Sequence, residues 1–289
     1  MAIARQDLAI HLFLQAMLLL YVLGRLLQLY SGVIPTLTIV LFQVLPPAAF
    51  ALLHGILTYR LRGILFFFGA CLGTGAFFES LSLRTGFPFG YYYFTDVMGP
   101  KLYQLPVLLV LAYVGMGYLC WSLVVIILAR TSRRSSLSNV LALPLLAAFI
   151  MVAWDFSMDP FWSTVGHTWI WNNGGAYFGV PISNFLGWYL TAYIFYQLFA
   201  LYLCNRDILP QRARHWRLPI LFYVACTFGN LLLAIPTQTA IQFPAVVTDP
   251  SGQAWMVKSI IGGCVLSSLF VMGPFALLAW IRLTDQQEC

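Results

Sequence analysis

The chain has 289 residues, of which 61% are hydrophobic and only 8% charged, against roughly a quarter charged in an ordinary soluble domain. This composition excludes a soluble globular protein and predicts an all-α, polytopic membrane helix bundle. A net charge of +6 would suit nucleic acid, but the basic residues follow membrane topology instead, so no nucleic-acid partner is expected.

Apolar stretches of about 20 residues predict eight transmembrane helices, near 8–30, 33–57, 64–83, 104–129, 138–159, 180–204, 217–241 and 257–281. The first lacks a small-residue cleavage site and reads as a retained helix rather than a signal peptide. With the amino terminus inside, the cytoplasmic segments hold Arg5, Arg60, Arg62, Arg130, Arg133, Arg134, Arg206, Arg212, Arg214, Arg217 and Arg282, 11 of the 15 basic residues. Arg25, Arg84, Lys101 and Lys258 remain for the other side. By the positive-inside rule this predicts a multi-pass protein of the cell membrane with both termini cytoplasmic, and a single transmembrane domain over 1–289.

In the first two spans His11 and His54 stand alone and read as structural, while Pro46-Pro47 predicts a kink. Gly69, Gly73 and Gly75 of the third span predict a close helix approach, and Glu79 follows about one turn from the span's outer end. The loop 84–103 is punctuated by Gly and Pro, and irregular backbone at membrane depth is tolerated only when it is buried in protein or lines a cavity. Its run Tyr91-Tyr92-Tyr93 reads either as an interfacial belt or as part of a cavity wall.

The fifth span ends with Asp155 and Asp159, four apart and hence on one helical face, before Pro160. Both fall at the depth of Glu79, on the same side. An ionised Asp at the centre of a membrane helix costs about 2.5–3.5 kcal/mol, so such residues usually face a bundle interior and carry function. The bland alternative is that the aspartates sit at the interface and cap turns. The loop 160–180 has no Lys, Arg, Asp or Glu but holds Trp162, His167, Trp169, Trp171, Asn172, Asn173 and Tyr177, which suits a lid over a cavity. Asn184 and Trp188 then open the sixth span, four apart. The basic loop 205–217 faces anionic lipid, and Asn230, Gln238 and Gln242 are the polar points of the last two spans.

Four histidines are too few for a membrane di-iron site, and one D-x-x-x-D without basic partners is too little for a magnesium prenyltransferase. The six cysteines are scattered singly and indicate neither zinc nor a disulfide framework, so neither a metal nor a cofactor is expected. Three carboxylates among aromatic faces and amides suit proton chemistry on an apolar substrate. Burial and mutual proximity disfavour the charged form, so one carboxyl stays a neutral acid while another stays ionised. Protonation of an alkene gives a tertiary carbocation, which aromatic faces stabilise by about 2 kcal/mol or more when desolvated. Water capture then gives an alcohol and an internal double bond gives a ring; composition leaves both open. A carrier that only binds isoprenoid lipid is the rival from another class, hinted at by a faint echo between FPFGYYYF and AYFGVPISNF.

Asp155, deeper in its helix than Asp159, is the expected proton donor, with Asp159 and Glu79 as its partners. The expected substrate wall is Trp154, Tyr91, Tyr93, His167, Trp169, Trp171, Asn173, Tyr177, Asn184 and Trp188.

Glu79, Thr85-Gly86-Phe87-Pro88-Phe89-Gly90 with Tyr91 and Tyr93, Trp154-Asp155, Asp159-Pro160, Gly166, Trp169, Trp171, Gly175, Tyr177, Gly179-Val180-Pro181, Asn184 and Gly187-Trp188 occur in that order. This set, over roughly residues 70–190, resembles the carotenoid 1,2-hydratase (bisanhydrobacterioruberin hydratase-like) family of multi-pass membrane proteins. The resemblance implies acid-catalysed addition of water to the terminal C1=C2 bond of an acyclic carotenoid, without metal or redox cofactor. It implies as partners the carotenoid, water, membrane lipid and other enzymes of carotenoid biosynthesis. The triple tyrosine and the stretch Ser80-Leu81-Ser82-Leu83-Arg84 depart from the typical pattern, and a lycopene-cyclase-like ring closure uses the same protonation.

Overall fold

The computed structural model describes residues 2–128, 137–204, 206, 209, 211 and 213–288; Arg130, Arg133, Arg134, Arg212 and Cys289 lie outside the described residues, as does the side chain of Arg5. Among the described residues, seven helices are long and apolar enough to cross a membrane. The chain is an all-α polytopic bundle with a few two- and three-residue strands at the loops.

The helices are α1 (Ala2–Leu26), α2 (Thr36–Thr85), α3 (Val107–Ile127), α4 (Leu137–Pro160), α5 (Ile182–Leu203), α6 (Ala213–Gly229), α7 (Val257–Ser267) and α8 (Gly273–Glu288). A π turn, 268–272, joins α7 and α8 into one span.

A straight helix of the 50 residues of α2 would run about 75 Å, more than twice a bilayer's hydrocarbon core. Instead it turns at Arg60, the one residue within it with non-helical φ and ψ (62°, 167°). A side chain on Gly55 would collide with Ile64, nine residues on, which a straight helix would hold roughly 13 Å away. This reversal makes α2 the second and third predicted spans together. It falls at Arg60, between the predicted spans 33–57 and 64–83, while Pro46-Pro47 lie inside the helical run before it.

The core is built around α3, buried along most of its length and packed against α2, α4, α6 and α8. With lipid outside and no water to expel, such packing rests on close van der Waals contact. Along α3 the closest approach is at Gly115, where an added Cβ would strike Pro47 and the backbone of Ala48. The glycines expected to serve this purpose differ: nothing lies within 4 Å of a Cβ at Gly69 or Gly73, and only Gly75 meets a neighbour, the ring of Tyr113. Nor is His54 single. Its ring stacks on that of His215, centroids 3.6 Å apart, and hydrogen-bonds the Tyr118 hydroxyl at 2.6 Å.

The seventh span is shorter than expected, because α6 ends at Gly229 and a 3-10 turn, 230–234, leads out. Gln238 and Gln242 therefore lie in the loop that follows. At the start of the turn Asn230 meets α1. Arg25, only 6% exposed, donates to Asn230 Oδ1 and, at 3.1 Å, to Gln43 Oε1. Asn230 in turn donates to Ser157 and Ser268. Amides, not a carboxylate, thus hold the terminal nitrogens of this guanidinium, while its buried Nε has no hydrogen-bond partner.

At one end of the bundle the two long loops pair. Strands β1 (Tyr92–Phe94) and β4 (Trp169–Trp171) form an antiparallel ladder with Tyr92 opposite Trp171 and Phe94 opposite Trp169. The remaining strands, β2 (Lys101–Leu102) with β3 (Leu105–Pro106) and β5 (Val246–Thr248) with β6 (Ala254–Met256), are local hairpins. The β1–β4 ladder satisfies backbone donors and acceptors where α-helix has stopped, and its period of two decides which rings turn inward.

Candidate active site

Glu79 reaches the bundle interior because α2 continues one and a half turns past it, to a left-handed Gly86 (φ 77°) whose N–H caps Ser82 O. Gly takes that backbone without a Cβ penalty. Asp155 and Asp159 project from α4, and Asn184 from the first turn of α5, which starts after Pro181. All four are 5% exposed or less.

These side chains line one cavity, of about 30 Å³, with Tyr92, Tyr113, Trp169, Trp171, Trp188, Phe89, Phe94, Leu109 and Met158. A water requires about 10–15 Å³ on such a measure, so there is room for roughly two. The carboxyls are held from separate sides. Asn184 Nδ2 donates to Asp155 Oδ2 at 2.9 Å and to Asp159 Oδ2 at 2.6 Å. The Trp169 indole N–H donates to Asp159 Oδ1 at 2.8 Å. Glu79 accepts from Tyr92 at Oε2 and from Tyr113 at Oε1.

One donor is left over. The indole N–H of Trp171, a residue 4% exposed, has no hydrogen-bond partner. A buried donor without an acceptor costs free energy, and Trp171 lines the cavity. The walls are ring faces: Tyr113 meets Trp188 edge-on at 4.4 Å, Phe89 stacks on Trp188 at 5.2 Å, and Tyr92 tilts against Trp171 at 4.8 Å.

Of the residues singled out from sequence, the structure brings together Glu79, Asp155, Asp159, Asn184, Trp169, Trp171 and Trp188. Others lie elsewhere. Tyr91 and Tyr93 are 50% and 54% exposed, because in β1 it is Tyr92 and Phe94 that face inward. Trp154 lines a neighbouring cavity, one helical position round from Asp155. His167, at a positive φ of 48°, and Asn173 are exposed on the turns either side of β4. Tyr177 stacks on Phe156, centroids 4.2 Å apart. Tyr92 and Tyr113 were not singled out as site residues.

Beyond the site, Asp249 braces the lid. Its carboxyl accepts from Ser251 and Gln253 amides and from the Trp255 indole, and lies beside Gly174 and Gly179. Burial raises its pKa, but these donors outweigh that and hold it below the usual carboxylate range. Among the described residues no group of three or more His, Cys, Asp or Glu side chains is placed to hold a metal ion.

Residues 36–249, well over half of the chain, match a protein-family model described as "Carotenoid biosynthesis protein". The comparisons with curated proteins and with solved structures gave no match.

Proposed function

The chain belongs to the carotenoid biosynthesis protein family, and from that premise we propose that it hydrates the terminal C1=C2 bond of an acyclic carotenoid. The observation that carries the reading is the unpaired, buried Trp171 Nε1 in a cavity with room for about two waters beside the Asp155–Asp159 carboxyls that Asn184 joins.

In this reading Asp155 delivers a proton from Oδ1 to C2, and the π electrons leave a tertiary cation at C1. Ring faces of Trp171, Trp188 and Trp169 stabilise that charge. A water oriented by the Trp171 and Asp155 atoms forms the C–O bond, and its surplus proton passes to the ionised member of the Asp155–Asp159 pair. The pair thus ends with the one proton it began with. Asn184 holds the two carboxyls in register, and the Trp169 N–H holds Asp159 Oδ1 from the other side. Glu79, with both oxygens taken by phenols, acts by fixing Tyr92 and Tyr113.

We place the whole chain in one membrane domain, the site within 70–190, and both termini in the cytoplasm; the basic residues of the loops support that orientation. The purified protein is to be incubated with an acyclic carotenoid in lipid. A product heavier by one water per reacted end is expected. A product of unchanged mass would mean ring closure, and binding without conversion would mean a carrier.

A further inference from the structure

Two further cavities lie beyond the acid site in succession, and none of the chemistry above uses them. The first, about 80 Å³, shares Leu109, Met158 and Trp169 with the acid site as common walls. The second is far larger, about 970 Å³, with Phe161, Val165, Leu233, Phe243 and Ile261 among its walls. It adjoins the first through Trp162, which lines both.

Helix α4 explains the succession. Asp155 and Asp159 form one row on it, and Trp154, Met158 and Trp162, again four apart, form the row alongside. The first row faces the acid cavity, while the second runs past the middle cavity to the large one. Trp162 stands in the π turn 161–165, a departure from α-helix that often marks functional sites. It packs against both of the protein's hydrophobic clusters. The polar side chains on the middle cavity are Tyr21, Arg25 and Gln43; Arg25 donates to Gln43 and to Asn230, and its Nε has no hydrogen-bond partner.

The acid cavity is too small for more than water, so an alkene end delivered there must enter through a shared wall, with its chain lying outside. We propose that the middle and large cavities form the binding site for the remainder of a long apolar polyene, whose end reaches the carboxyls past Met158 and whose chain follows the Trp154–Met158–Trp162 row, with Trp162 as the partition it displaces. The large cavity falls at the upper end of the roughly 300–1,000 Å³ usual for ligand sites. Met158, unbranched and flexible, is suited to yield. The proposal rests on the reading of an isoprenoid substrate; it does not depend on whether the product is an alcohol or a ring.

Filling the large cavity tests it at two separate elements, with Leu233→Trp and Ile261→Phe in the full-length protein in lipid. Binding of a full-length acyclic carotenoid is read by quenching of tryptophan fluorescence, referenced to each variant's own unquenched signal. Turnover is compared with that of a two-isoprene-unit alkene bearing the same terminal group. Each filled variant is expected to weaken carotenoid binding, and to lower the ratio of long-chain to short-chain turnover, by about tenfold or more. Wild-type binding and an unchanged ratio in a folded variant would overturn the proposal. So would unchanged carotenoid binding with loss of a co-purifying phospholipid, which would make the cavity a lipid site. If the wild-type protein converts neither substrate, hydration fails as a reading, while the binding measurement still decides the cavity's occupant.

Discussion

Tyr92 and Trp171 stand opposite one another in the β1–β4 ladder, ring centroids 4.8 Å apart, and both turn toward the carboxyls. Tyr93, the next residue, points outward. Tyr92→Phe removes one of the two phenols on Glu79 and should lower turnover by about 10-fold or more, since leaving a buried polar group without its partner costs about 1–3 kcal/mol. Tyr93→Phe should leave turnover at the wild-type level. Steady-state product formation by both variants decides it, and the reverse ranking would mean that the ladder's register is not that of the working enzyme.

Asp155→Asn keeps the shape of the donor but not its proton, and product should fall by about 10²–10⁴-fold. Asp159→Asn should fall comparably. The double variant should lose little more than either single one, because groups that act as a unit are not additive. Multiplicative losses, measured by product mass in matched folded samples, would show that the two aspartates work independently.

Asn184 donates to both aspartates. Asn184→Leu leaves two buried carboxyls short of a donor, a cost of about 1–3 kcal/mol in stability. It should also abolish hydration. In an Asp155→Asn background the stability loss should shrink, since the amide at 155 can itself donate to Asp159 in place of the lost bond. Thermal unfolding in a fixed detergent, read for the four corners of the cycle, is the measurement, and a full additive loss would speak against the bridge.

Asp249 carries the pH dependence. A carboxyl whose pKa is depressed in the folded state contributes stability that is fully present above the unfolded value of about 3.9 and lost as pH falls through the folded one. Hydrogen exchange of the 246–256 hairpin should therefore rise on acidification below about pH 4. In Asp249→Asn that hairpin should exchange faster at neutral pH and with a flatter acid response. An acid response identical to wild type would assign the titration to another group.

The acidic part of the site was legible because three carboxylates in spans of otherwise apolar residues have few blander explanations, and because helical spacing puts Asp155 with Asp159 and Asn184 with Trp188. Tyr113 gave no such signal. It lies in α3, which is buried on nearly every side, so no polar stripe distinguishes its inner face. Tyr92 was hidden among identical neighbours: which of three tyrosines faces inward depends on pairing with residues about 80 positions away. Trp154 shows the converse, since its place beside Asp155 in sequence is one step round the helix and opens on a different cavity. The partnership of His54 with His215, 161 residues apart, is likewise a product of packing alone.

Arg25 and Asn230 are 205 positions apart, which bears on the order in which the molecule closes. At synthesis rates of about 5–20 residues per second, roughly 10–40 s pass between the making of α1 and of its amide partner. During that interval the guanidinium, in the last turn of α1, has neither Asn230 nor a finished bundle around it, and its aliphatic stem lets it reach the membrane boundary. Only when α6 arrives can it be drawn in between Gln43 and Asn230. Helix α1 is thus made well before α6 and locked only once α6 is in place. Because Asn230 also holds Ser157, two residues from Asp155, the same late event fixes the helix that carries both aspartates.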